Sequence, residues 1–190
     1  YDEFAVEEAL KIKQKTGSGE VVVVSVGPES VKDKILKALA MGADKGLLIR
    51  NNNENLDSLS IAKILAKAID RSQPQIVLCG KQGIDDDNMH VGMMTAELLG
   101  WPHINGVTKM DLSSDKNSVT AQREIEGGQE EFYQVTLPCI FRSKISSFLN
   151  QMLYTNNQYY NYHIFVLIIY APQNLIDFFL TSLLPIYYHH

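Results

Sequence analysis

Ile76-Val77-Leu78-Cys79-Gly80-Lys81-Gln82-Gly83-Ile84-Asp85-Asp86-Asp87-Asn88 runs from a short apolar segment, through two glycines and an acidic triplet, into a helical pattern from Met89 to Leu99. Four apolar residues followed by a glycine turn and a helix are the repeating unit of a parallel α/β sheet. A helix that starts there leaves free backbone N–H groups at the end of the sheet, where a nucleotide phosphate is well received. The reading of this stretch therefore sets both the fold class and the place to look for a function.

The same grammar extends toward the N-terminus. Phe4 to Lys13 carries Val6, Ala9, Leu10 and Lys13 at helical spacing, and Gly17-Ser18-Gly19 closes that helix. Val21 to Val26 is a continuous β-branched strand of the kind buried on both faces, and Gly27-Pro28-Glu29-Ser30 opens the next helix, whose stripe is Val31, Ile35, Leu36 and Leu39. Gly46 to Arg50 reads as a strand and Asn51-Asn52-Asn53 as a loop. Asp57 to Arg71 reads as a third helix with Ile61, Ile64, Leu65, Ala68 and Ile69 inward. Strands separated by helices of this length pair in parallel. Beyond Leu99-Gly100-Trp101-Pro102 the pattern changes: Ser118 to Glu126 and Glu130 to Leu137 alternate around Gly127-Gly128, an antiparallel hairpin whose glycines suit a type I′ turn.

Composition narrows the function. The chain has 190 residues, 45% hydrophobic and 21% charged, with a net charge of -5 and no run of Lys or Arg. That excludes a nucleic-acid or anionic-membrane footprint. Cys79 and Cys139 both stand in apolar runs without metal-ligand spacing and read as buried thiols. Asp85 to Asp87 lack the alternation of a calcium loop, so no metal is expected. His90 has no Ser or Cys nucleophile beside it in a motif, and no catalytic residue is expected. No secretory signal is visible.

Taken together, several segments resemble one family. Ala5-Val6-Glu7-Glu8-Ala9, Val24-Ser25-Val26-Gly27-Pro28, Ala38 to Asp44, Gly80-Lys81-Gln82 with Ile84 to Asp87, Met94-Thr95-Ala96, and Arg123 to Gly128 with Leu137-Pro138 stand in the order found in electron transfer flavoprotein β subunits. The resemblance runs through about Phe141. It implies a three-layer, Rossmann-like domain of the adenine-nucleotide α-hydrolase type over residues 1–141, a parallel sheet with flanking helices plus the antiparallel hairpin. It also implies a heterodimer with an electron transfer flavoprotein α subunit, AMP bound structurally, and FAD shared with that partner. Electrons would come from acyl-CoA and related dehydrogenases and pass to a quinone oxidoreductase, so the chain is a carrier without a reaction of its own. The compartment would be the mitochondrial matrix in a eukaryote and the cytoplasm in a bacterium, with no membrane insertion.

The site implied for AMP is Gly83, Ile84, Asp85, Asp86, Asp87, Asn88, Met89, His90, Val91, Gly92, Met93 and Met94, with Val26, Tyr1 and Asp2; Tyr1 also matches an aromatic residue near the flavin ring. Residue chemistry divides the work. Three adjacent carboxylates repel a phosphate, so one caps the helix and another holds a ribose hydroxyl, while the phosphate meets backbone N–H groups near Asn88 to Gly92, where glycine permits close approach. The alternative of another class on the same fold is a universal-stress-type protein that self-dimerises and binds ATP without flavin; the Glu-Gly-Gly hairpin favours the first. A non-functional truncated product is the third reading.

Residues 142–190 depart from the pattern. They hold 11 of the 17 aromatic residues and, besides histidines, only Arg142, Lys144 and Asp177 as charges. Ile164 to Ala171 is an apolar run of eight residues before Pro172, too short to span a membrane as a helix. The expectation is a tail foreign to the domain, such as intron read-through or a shifted frame, or else poorly ordered. In the resembled family a buried parallel strand and a loop near AMP and flavin precede the position of Tyr1, so the chain is expected to be marginally stable or prone to aggregate.

Overall fold

The valine run at 21–24 becomes β1 (Glu20–Gly27), buried along its length after Glu20, and the other elements are arranged around it. The computed structural model describes residues 2–52, 56–80, 90–143, 164–169 and 187–189. In chain order the remaining elements are α1 (Asp2–Thr16), which precedes β1, then α2 (Lys32–Met41), β2 (Lys45–Arg50), α3 (Ser58–Ser72), β3 (Ile76–Cys79), α4 (His90–Leu99), β4 (His103–Leu112), β5 (Ser118–Glu124), β6 (Glu130–Thr136), β7 (Cys139–Ser143), β8 (Ile164–Ile169) and β9 (Tyr187–His189). They form a mixed α/β protein with one sheet in the order β6-β5-β4-β7-β3-β8-β1-β2-β9.

Five strands point one way. β1 pairs parallel with β2, β7 pairs parallel with β3 and with β4, and β1 and β3 are each antiparallel to β8, hence parallel to one another. Strand alternation then sorts the core into two layers. Val21, Val23, Ile76, Leu78, Cys139 and Phe141 face α1 and α2, while Val22, Val24, Val26, Val77, Cys79 and Ile140 face α3 and α4. Such double-sided burial is what continuous apolar strands require.

Local chemistry fixes the corners. The Asp44 carboxylate accepts from Lys13 Nζ at 2.5 and 2.7 Å and from the Val21 backbone N–H at 2.7 Å, tying the end of α1 to the start of β1. Asp57 caps α3, its side chain accepting from the Ser60 N–H at 2.7 Å. Both cysteines are buried free thiols, and burial pushes Cys139 up to about 12.

Two sequence expectations change. Leu36 is 39% exposed, while Val31, Ile35 and Leu39 of the same expected stripe are buried: one step of about 100° from Ile35 carries Leu36 to the rim of the α2 face. The hairpin has no two-residue I′ turn: Glu124 pairs with Glu130, leaving the loop Ile125 to Gln129, closed by the Ile125 N–H donating to the Gln129 carbonyl at 2.9 Å. Gly127 and Gly128 do take positive φ, 80° and 72°. β7 runs through Ser143.

Two described segments beyond Ser143 join the sheet. β8 lies antiparallel between β1 and β3, with Val166 opposite both Val23 and Leu78, and β9 pairs antiparallel with β2. Helix α1 lies over β1, β8 and β3. An uncharged β-branched and aromatic run suits a strand, and that pattern reads the same in either chain direction. Among the described residues no helix is long and apolar enough to cross a membrane.

Candidate functional site

The parallel strands end along one edge, and the residues there come from distant parts of the chain. β1 ends at Val26-Gly27, β3 at Cys79-Gly80 and β7 at Arg142-Ser143, and α4, which follows β3 in sequence, starts at His90. The tight Gly17 to Gly19 connection folds α1 back on β1. A 15-residue helix of about 22 Å beside an eight-residue strand of about 26 Å puts Asp2 at the same edge.

On the α4 side of this edge the packing is close. A Cβ on Gly92 would lie 3.0 Å from Cys79 Sγ and 3.7 Å from His103 Nε2, so a side chain there would require Cys79 Sγ to give by a few tenths of an ångström, and glycine lets the first turn of α4 settle closely onto β3 and β4. His103 Nε2 is enclosed and, among the described residues, has no hydrogen-bond partner. Burial, and then the adjacent Arg142 cation, pull this imidazole down to about 4, so it is neutral at pH 7. Arg142 shares the face of Ile140 and stands opposite Cys79, and its Nη1 donates to Asn105 Oδ1 at 2.9 Å. A β-bulge between Ile104 and Val107 reshapes β4 where Asn105 is placed.

The described part of the expected nucleotide site divides in two. Val26, Val91 and Met94 meet in one apolar cluster, with Gly92 buried beside them. His90 and Met93 are exposed, Met93 by 38%. Asp2 opens α1. Tyr1 and Gly83 to Met89, including Asp85, Asp86, Asp87 and Asn88, lie outside the described residues. His103, Asn105 and Arg142 formed no part of the expected site. One signal pointed to them: β7 reads Cys-Ile-Phe-Arg-Ser, and a cation in a strand buried on both faces is out of place unless it has work there.

Chemically, this edge offers an apolar floor, the positive end of the α4 dipole and the Arg142 cation, a combination that receives a flat ring bearing an anionic group. Among the described residues no cluster of three or more potential metal ligands exists. The sequence model of the electron transfer flavoprotein domain matches residues 1–148. The chain belongs to this family.

Relatives agree. The chain is similar to the electron transfer flavoprotein subunit beta of Dictyostelium discoideum, 40% identical over 158 residues, covering 83% of this chain and 61% of that protein. It is similar to the mitochondrial electron transfer flavoprotein subunit beta of Arabidopsis thaliana, 42% identical over 154 residues, 81% of this chain and 60% of the relative. The human electron transfer flavoprotein subunit beta is 41% identical over 141 residues, 73% of this chain and 54% of its own length. The chain thus spans a little over half the length of these relatives.

Proposed function

We propose that this chain is the nucleotide-binding part of an electron transfer flavoprotein β subunit. Its sheet is of the adenine-nucleotide α-hydrolase type, and AMP lies in the crevice where β1 and β3 end and α4 begins. The observation that carries this reading is the convergence of Val26, Val91 and Gly92 at that edge, three residues placed in the AMP site from sequence and drawn from two separate strand–helix units. A phosphate at the start of α4 gains from the helix dipole and from N–H groups that have no partner within the helix. The apolar floor takes the purine ring.

In this proposal AMP is structural. The redox group is FAD, held mainly by an α subunit and enclosed from the other side by this chain, and the residue matched to a position near its ring is Tyr1. FAD supplies one- and two-electron chemistry when bound; the chain's own part is to bind, orient and shield. Electrons arrive from acyl-CoA and related dehydrogenases and leave to a quinone oxidoreductase, with no bond made or broken by this subunit. In a eukaryote the setting is the mitochondrial matrix.

The test is equilibrium dialysis of radiolabelled AMP against the full chain. The expected result is saturable binding with about one nucleotide per chain. Absence of saturable AMP binding by a chain that melts cooperatively would overturn the proposal.

A further inference from the structure

Arg142 is 8% exposed, and a charge so far from water requires a partner. A guanidinium carries five N–H donors. Among the described residues the one hydrogen bond it makes is to the neutral Asn105 amide oxygen, and no carboxylate forms an ion pair with it. The nearby titratable group is His103, which is neutral at pH 7 and carries no compensating negative charge. The cation therefore sits with one arm fixed, at the end of β7, on the face covered by α4. The start of α4 adds positive potential to the same place. Two independent features, a buried cation and a helix start, favour an anion there.

We propose that Arg142, oriented by Asn105, is the direct cationic contact for the phosphate of a nucleoside monophosphate at this edge. The inference deepens the AMP reading and rests on it. In this arrangement backbone N–H groups of the first turn of α4 and the free arm of the guanidinium share the phosphate oxygens, the planar fork being suited to two oxygens at once. Asn105 is a positioning residue that holds the fork through the bulge in β4.

The experiment compares AMP with adenosine, which lacks only the phosphate, on the full chain and on R142Q, R142K and N105A. The expected result is that wild type prefers AMP, that R142Q loses affinity for AMP by roughly tenfold to a hundredfold with adenosine binding unchanged, and that added salt erodes the AMP preference. R142K, which keeps the charge and guards against a misfolded glutamine variant, should lose part of the preference. N105A should do the same, with adenosine again unaffected. An AMP-to-adenosine ratio in R142Q or R142K equal to wild type would overturn the role of Arg142 and leave the nucleotide reading intact. Equal binding of AMP and adenosine by wild type would do so too. Failure of wild type to bind either nucleotide would overturn both.

Discussion

At the scale of single residues, the chemistry of the edge follows from burial. His103 is a weak base held where protonation is disfavoured, and the sign of its effect on stability can be worked out. Its folded value of about 4 lies below the ordinary 6.5, so between those limits the unfolded chain takes up a proton that the native imidazole refuses. The contribution is full above pH 6.5, declines as pH falls through the window and is lost below about 4. Urea midpoints measured at several values between pH 7.5 and 4.5 should fall with acid in wild type, and the H103Q variant should show a shallower decline. Identical slopes would mean that His103 is not held neutral by the fold. The neutral state also matters for the proposed phosphate, because it leaves Arg142 as the cation of the edge.

Elements are where sequence and structure agree most. α1, α3 and α4 lie where apolar spacing and end signals put them, since a helix with one buried stripe and a defined cap announces itself locally. Asp57 is the clearest such signal for α3. Replacing it by alanine removes the acceptor for the Ser60 N–H and should lower the thermal midpoint without changing AMP binding. A variant as stable as wild type would show that the cap is dispensable. The strands were legible in position through their β-branched runs. The hairpin loop was not, because consecutive glycines announce positive φ without fixing how many residues separate the last paired positions, here Glu124 and Glu130. The site divides along the same line. Val26, Val91 and Gly92 follow from strand–turn–helix grammar, whereas His103, Asn105 and Arg142 meet only because β4 and β7 become neighbours across intervening hairpin strands. No local pattern in the chain records that pairing.

On the scale of the whole molecule, the least legible feature is the place of β8. A composition rich in Ile, Phe and Tyr says that residues 164–169 avoid water, but it says nothing about which strands they join or in which direction. Between β1 and β3 every backbone group of β8 can pair on one side or the other, so a proline there removes a donor from the interior of the sheet. V166P should lower the urea midpoint by removing a ladder hydrogen bond from the sheet interior, and slow-exchanging amides in β1 and β3 should become faster in hydrogen exchange. Unchanged exchange and an unchanged urea midpoint would remove β8 from the sheet. This position also bears on the expectation of marginal stability, since β8 separates two strands whose inner edges would otherwise lie open.

The molecule-wide claim is assembly: a nucleotide-binding β-type chain that encloses flavin only with a partner. It is tested most directly by co-expressing the full chain with an electron transfer flavoprotein α subunit, purifying through a tag on this chain, and recording the visible absorbance of the product. The account expects a yellow complex of the two chains that releases both FAD and AMP on denaturation. A colourless chain recovered alone, with flavin confined to the α subunit, would contradict it.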